Sequence, residues 1–305
     1  MRIVRFISPA TGQTLIGVDD GEAITEFGGI ATVGELLRLT AAEIQDHCAT
    51  ADGPRHETAK VQLLPPADGR MDVWAAGVTY ERSRTARMVE SERAADVYDL
   101  VYEAPRPELF FKSTAWRVTG HGESVSVRAD SGIDVPEPEL GLIINRHAEI
   151  VGYTVVNDMS SRTIEGENPL YLPQAKIYLG GCAVGPAIRP AWEIPDPYAL
   201  DIALTITRDG SVAWDGQAST GQLRRRLDEL VGYLFREDAF PEGAILATGT
   251  CLVPDLPFTL RAGDEITISI SGIGTLTSTV VAGKAAMNWL AETADEHGRR
   301  APLRG

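Results

Sequence analysis

Apolar and polar residues alternate in short runs along most of this chain, and few patterns persist for helical lengths. Runs of roughly four to eight residues rich in Val, Ile and Thr read as strands. On that basis MRIVRFIS and TLIGVDD predict a first hairpin, and SVSVRAD, ELGLIIN and IVGYTVVND predict further β segments. Residues 71–80 read as a buried strand running into a turn. Residues 107–120 read as a short apolar strand, with Lys112 just after Phe110 and Phe111. The run LDIALTITRDGSVAWDGQAS carries Asp209-Gly210 at its middle, a pair suited to a tight hairpin turn. AILATGTC predicts a strand ending in a small-residue turn, and ITISISGIGTLTSTVVA predicts two β segments about Gly272 and Gly274.

Helical periodicity is rarer. VGELLRL and AAEIQDH predict short helices. GQLRRRLDELVGYLF gives the clearest amphipathic pattern, with Leu223, Leu227, Leu230 and Leu234 on one face. Residues 81–103 also read as helix, with Arg and Glu at spacings that suit a solvated surface. The polar stretch 49–60 reads as a linker, with VQLLPP as a strand after it. A boundary near residue 66 then separates a small N-terminal α+β domain (1–66) from a main domain (67–305). Strands outnumber helices and no βαβ alternation occurs. The predicted fold class is α+β and β-rich, and a doubly wound nucleotide fold is disfavoured.

Composition narrows the partners. The 305 residues are 44% hydrophobic and 23% charged, which suits a globular chain with a sizeable core. A net charge of -15 disfavours nucleic acid and anionic membranes. No apolar run reaches the roughly 18–20 residues of a membrane span, and the N-terminus lacks the apolar core of a signal peptide. Cys48, Cys182 and Cys251 are odd in number and fall in no metal-like spacing, so a reduced, cytoplasmic setting is expected.

Residues 130–176 concentrate the candidate chemistry. Glu137 and Glu139 flank Pro138, and prolines at 136 and 138 suit an extended edge rather than a helix interior. Residues i and i+2 of a strand face the same way, so both carboxylates project together. Such neighbours repel unless a cation or a proton separates them. Asp158 follows IVGYTVVN, a length that suits a return strand. Three carboxylates suit magnesium, manganese or calcium, and without a nearby Cys or well-placed His zinc is disfavoured. E-P-E alone would fit surface acids on a hairpin; Asp158 and the Ser160-Ser161-Arg162 run tip the reading toward metal.

These residues resemble the fumarylacetoacetate hydrolase superfamily. The shared pattern is E-x-E at 137–139, G-Y-T-V-x-N-D-x-S-x-R at 152–162 and P-x-x-K at 173–176. P-E-L-F-F-K-S at 107–113 and T-G-T at 248–250 extend it. The resemblance implies a mixed β-roll or sandwich catalytic core holding a divalent ion, usually magnesium, on Glu137, Glu139 and Asp158. One departure matters. C–C hydrolases and decarboxylases of the superfamily often carry G-x-N-Y-x-x-H, and Ser83 stands here where that His would be. Residues 164–176 further resemble the branch of 2-keto-3-deoxypentonate dehydratases. That implies a lyase of pentose degradation that dehydrates a small 2-oxo sugar acid to 2,5-dioxopentanoate, working as a homodimer or homotetramer.

The chemistry then assigns roles. Lys176 contacts substrate oxygens, and Glu108 and Glu167 are candidates for acid and base. Thr250, with the Gly249 backbone, is expected at the substrate carboxylate, and Lys112, Ser160 and Arg162 elsewhere on the substrate. Blander readings stand beside these: Glu108 as a partner of Lys112, Glu167 as a loop acid, and Arg82, Arg84 and Arg87 as solvated rather than a lid. Two rival functions are a metal-dependent hydrolase or decarboxylase of a 2-oxo or 1,3-dicarbonyl acid, and a non-catalytic metal-binding protein.

Overall fold

The computed structural model describes residues 1–80 and 100–293. Most of the helix expected over 81–103 lies outside the described residues, as do Arg82, Ser83, Arg84 and Arg87; residues 100–103 are helical. The N-terminal part contains β1 (Arg2–Ile7), β2 (Thr14–Asp19), β3 (Ala23–Glu26), α1 (Val33–Leu36), α2 (Ala41–Ala49), β4 (Arg55–Glu57) and β5 (Gln62–Leu64). Next come β6 (Asp72–Gly77), β7 (Glu108–Thr114), β8 (Ser124–Val127), β9 (Asp134–Val135), β10 (Pro138–Ile144), β11 (Ile150–Asp158) and β12 (Ser160–Ser161). They are followed by α3 (Arg162–Glu167), α4 (Leu172–Lys176), β13 (Cys182–Pro190), β14 (Asp201–Arg208) and β15 (Ser211–Ser219). The last elements used below are α5 (Leu227–Leu234), β16 (Ala244–Thr250), β17 (Glu265–Ile270) and β18 (Gly274–Ala282).

The strands form two main sheets. The larger runs β4-β3-β2-β1-β13-β11-β10-β16-β6-β7, with β5 on β1, and is mixed because β16 and β6 are parallel. The smaller runs β15-β14-β17-β18-β8, with β18 and β8 parallel. β11 and β13 pack against β17 and β18, so the sheets form a sandwich. Leu140, Leu142, Val155, Leu204, Ile268 and Leu276 fill its interior. The other face of the large sheet is covered by α1 and α2, through Leu36 and Ile44 against the cluster of Val73, Ile143 and Val156. The β-rich, mixed architecture expected from the sequence is the one observed. No described helix is long and apolar enough to cross a membrane.

Two local readings change. The stretch 49–60 does not simply link: it supplies β4, which pairs with β3 through His56 opposite Ile24. Only His56 of its three residues turns inward, onto Glu26 and the Phe6 ring, so the strand looks polar in sequence. The amphipathic helix starts at Leu227, and Leu223 lies ahead of it, bridged to Tyr80. The intervening arginines are spent elsewhere, Arg224 on Glu103 and Arg225 on the carbonyls of Ala104 and Pro105. The division expected near residue 66 falls between β5 and β6; across it, β1 pairs with β13 at Ile3 opposite Ile188.

β10 and β11 are the strands that place the site. Every residue of β10 is buried, and all of β11 after Ile150. Strands covered on both faces read as near-continuous apolar runs, and these do. The acidic residues enter at one end: Glu137 and Glu139 where β10 starts, and Asp158, after Asn157, where β11 stops.

Candidate functional site

Antiparallel pairing brings that end together. Pro138 faces Asn157, and the Asp158 amide donates to the Glu137 carbonyl at 3.0 Å. The register therefore sets Asp158 beside Glu137, while the i, i+2 rule puts Glu139 on the same side. One carboxylate oxygen from each of Glu137, Glu139 and Asp158 lies within 4.8 Å of the others, and all three residues are buried.

Three cations surround the acids. Lys176, at the end of α4, donates to Glu137 Oε2 at 2.7 Å, Asp158 Oδ2 at 2.9 Å and Ser160 Oγ at 2.5 Å. Arg162 donates to Glu137 Oε1 at 2.8 Å, and Lys112 Nζ lies 2.5 Å from Asp158 Oδ1. Glu139 is served differently: the Gly249 backbone N–H donates to it at 2.6 Å. Burial, and then the charges of Asp158 and Glu137, pushes the Glu139 carboxyl well above the usual range. Burial works the same way on Asp158, but Lys112 and Lys176 outweigh it and hold that carboxyl below its ordinary value. Three carboxylates converging at the floor of a cleft make an oxygen-only donor set, which a hard divalent cation fits.

The cluster forms the floor of a narrow cleft of about 20 Å³. Glu108, Glu165, Lys176 and Thr250 line it, with Phe110 and Leu172 as apolar wall. Glu108 pairs across β6 and β7 with Gly77, and a Cβ at 77 would stand 2.0 Å from Glu108 Oε2. Glycine there lets the carboxylate lie over the strand. Gly249 has φ +95°, and a Cβ on it would meet Thr79 Oγ1 at 1.9 Å, so glycine is required for the turn that serves Glu139. Val78, also on the lining, holds φ +53°, unfavourable for a β-branched residue.

The expected site residues separate into groups. Glu137, Glu139, Asp158, Lys176, Glu108 and Thr250 come together around the cleft. Lys112, Ser160 and Arg162 are buried and hold the acids or Lys176 without lining it. Gly249 engages Glu139 with the N–H expected at a substrate carboxylate. Glu167 is not brought to the cleft: it is exposed near the end of α3. Glu165 lines the cleft instead, at 3% exposure. Two residues on a helix are about 200° apart, so 165 and 167 cannot share a face. The signal was the i, i+3 spacing of Arg162 and Glu165, which sets both on one side of α3, where both are buried. Tyr80, fully buried, packs in the core.

Residues 72–281 match the family model described as fumarylacetoacetate (FAA) hydrolase C-terminal. The chain belongs to that family. The membership expected from the E-x-E and P-x-x-K patterns is thereby established. The family region starts with β6 and ends within β18, so it holds the site-bearing strands of the larger sheet together with the smaller sheet, and leaves β1–β5 outside. Among relatives, a probable 2-keto-3-deoxyxylonate dehydratase of Haloferax volcanii is 47% identical over 284 residues, covering 90% of this chain and 95% of that protein. The 2-dehydro-3-deoxy-D-arabinonate dehydratase of Saccharolobus solfataricus is 45% identical over 223 residues, 72% of this chain and 74% of its own length. A solved structure of 2-keto-3-deoxy-D-arabinonate dehydratase, complexed with magnesium and 2,5-dioxopentanoate, superposes with a TM-score of 0.80 at 35% identity. That match covers 93% of this chain and 100% of the solved one.

Proposed function

We propose that this protein is a magnesium-dependent dehydratase that converts a 2-keto-3-deoxypentonate into 2,5-dioxopentanoate and water. The observation that carries the reading is the buried Glu137, Glu139, Asp158 cluster, sharing one cleft with Lys176, Glu108 and Glu165. The relatives' names, and the magnesium and 2,5-dioxopentanoate of the solved neighbour, support the same reaction.

Glu137, Glu139 and Asp158 would hold the ion. Bound there, magnesium supplies Lewis acidity that polarises the 2-oxo group and makes the C3 proton easier to remove. The chain's own groups do the rest. Lys176 offers an ammonium at the cleft floor to an anionic substrate oxygen. Of Glu108 and Glu165, one takes the C3 proton and the other protonates the departing C4 hydroxyl, which leaves as water. A proton then moves from C5 to C3, which leaves a C4=C5 enol, and transfer of the enol O–H proton to C4 gives the C5 aldehyde. Phe110 and Leu172 limit the water that reaches these groups.

The test is to incubate the protein and magnesium with 2-keto-3-deoxyarabinonate, 2-keto-3-deoxyxylonate and an acylpyruvate, and to quantify aldehyde and cleavage products. The expected outcome is 2,5-dioxopentanoate from a deoxypentonate, abolished by chelation and restored by magnesium. Acylpyruvate cleavage without semialdehyde formation would replace this reading with the hydrolase one.

A further inference from the structure

The two buried lysines of the site differ in what they face. Lys176 lines the cleft. Lys112 does not, although its ammonium is as deeply buried. The Lys112 ammonium donates to the Met159 carbonyl at 2.9 Å and to the Lys176 carbonyl at 2.5 Å, and it forms an ion pair with Asp158 Oδ1 at 2.5 Å. The Tyr178 ring lies against the same ammonium at 5.8 Å.

These partners belong to separate parts of the site. Asp158 is a candidate metal ligand at the end of β11, Met159 follows it, and the Lys176 carbonyl ends α4. One cation on β7 thus ties the ligand strand to the helix that presents the cleft lysine. The two lysines also divide Asp158: Lys112 pairs with Oδ1 and Lys176 with Oδ2. A ligand entering from the cleft meets Lys176 and not Lys112.

We propose that Lys112 is a positioning residue for the metal site, and not a substrate-binding one. It fixes the orientation of Asp158 and the backbone of Lys176, so that metal capture and placement of the cleft lysine are set by one side chain. Lys176 is the lysine that turns to an incoming anion, while Lys112 stays in place. The inference rests on the metal-site reading of the proposed function but not on the identity of the substrate.

Charge and geometry predict opposite results for Lys112→Met. By charge alone, removing a cation beside Asp158 tightens magnesium binding. By position, it frees Asp158 and leaves two buried carbonyls without their donor. Positioning dominates in this proposal. Magnesium titrated calorimetrically into the substrate-free protein should bind about 10–100-fold more weakly to Lys112→Met than to wild type. With magnesium saturating, kcat should fall while KM for the deoxypentonate moves less than about twofold. Unchanged or tighter magnesium binding overturns the proposal, as does a rise in KM with kcat preserved. Should Lys112→Met fail to fold, a wild-type crystal with magnesium and oxalate decides. Lys112 must keep Asp158, Met159 and the Lys176 carbonyl while Lys176 Nζ moves to oxalate, and Lys112 found on oxalate refutes it. A wild type that binds magnesium but dehydrates no deoxypentonate removes the proposed reaction and leaves this test standing. A wild type that binds no magnesium overturns both.

Discussion

The two sheets of the sandwich use burial in opposite ways. In the smaller sheet, β14 and β17 alternate: Ile202, Leu204 and Ile206 point into the core, and Thr205 and Thr207 point out. In these two strands each buried side chain is apolar, and each polar one is at least partly exposed. In the larger sheet, β10 and β11 are covered on both faces, yet their shared end holds Glu137, Glu139 and Asp158 away from water. Burial in the first case yields stability directly. In the second it costs stability, because a carboxylate out of water needs a partner. Lys112, Lys176 and Arg162 provide partners for Glu137 and Asp158, and Glu139 is left with a backbone N–H. The end of β10 is therefore organised for chemistry at the expense of folding energy.

The sharpest way to break this contrast is to mutate one residue from each region. Glu139→Gln removes a ligand and a repulsive charge while keeping shape. Its magnesium-dependent turnover should drop by about a thousandfold or more, since metal electrostatics supply several kcal/mol. Its metal-free melting temperature should equal or exceed wild type, because burial already opposes ionisation of that carboxyl. Ile268→Ala, in the interior of the smaller sheet, should do the reverse. A fully buried aliphatic cut to Ala loses about 2–5 kcal/mol of stability, with magnesium affinity of the folded fraction unchanged. Denaturant titrations and calorimetry on both variants check this. Loss of stability in Glu139→Gln with activity kept would erase the distinction.

A smaller effect separates two acids of one helix. Glu165→Gln should lower kcat by roughly 10²–10⁴-fold, the usual worth of a general acid or base. Glu167→Gln, two residues on and exposed, should leave kcat within about twofold on the same scale. Steady-state kinetics at saturating magnesium distinguish them, and an equal loss in both would mean that α3 acts as a charged surface rather than through one face.

That pair also marks how far the sequence could be read. The strands were legible because Val- and Ile-rich runs and the Asp209-Gly210 turn act locally. The carboxylate cluster was legible because i, i+2 geometry needs only one strand. α3 was harder: six residues, Arg162–Glu167, give too short a period to fix which acid turns inward. β4 was missed because an edge strand with one inward residue looks like a polar linker. The role of Lys112 depends on two carbonyl acceptors and one ion-pair partner, all 46 or more residues away in sequence, and no local pattern carries that.

The smallest effect compares two buried aspartates. Asp158 has two lysines, and its carboxyl is held low. Asp134, in β9, is only 3% exposed and is pushed up to about 6, first by burial; the Ser131 hydroxyl and Arg128 pull it down less. Arg128 is itself committed to Asp130. The signs follow from linkage. The folded protein holds the Asp134 proton more tightly than the unfolded chain, so the favourable contribution is complete below about pH 4. It is lost as pH rises through 6, where the folded state carries a buried carboxylate. From an ordinary value of 3.8 to about 6, the penalty is at most about 3 kcal/mol, and less where solvent screens the charge. Asp134→Asn removes it. Denaturant unfolding at pH 4, 5.5 and 7.5 should show the variant gaining on wild type as pH rises, with most of the gain between the first two points. A difference independent of pH would mean that Asp134 keeps a partner strong enough to ionise it, as Asp158 does.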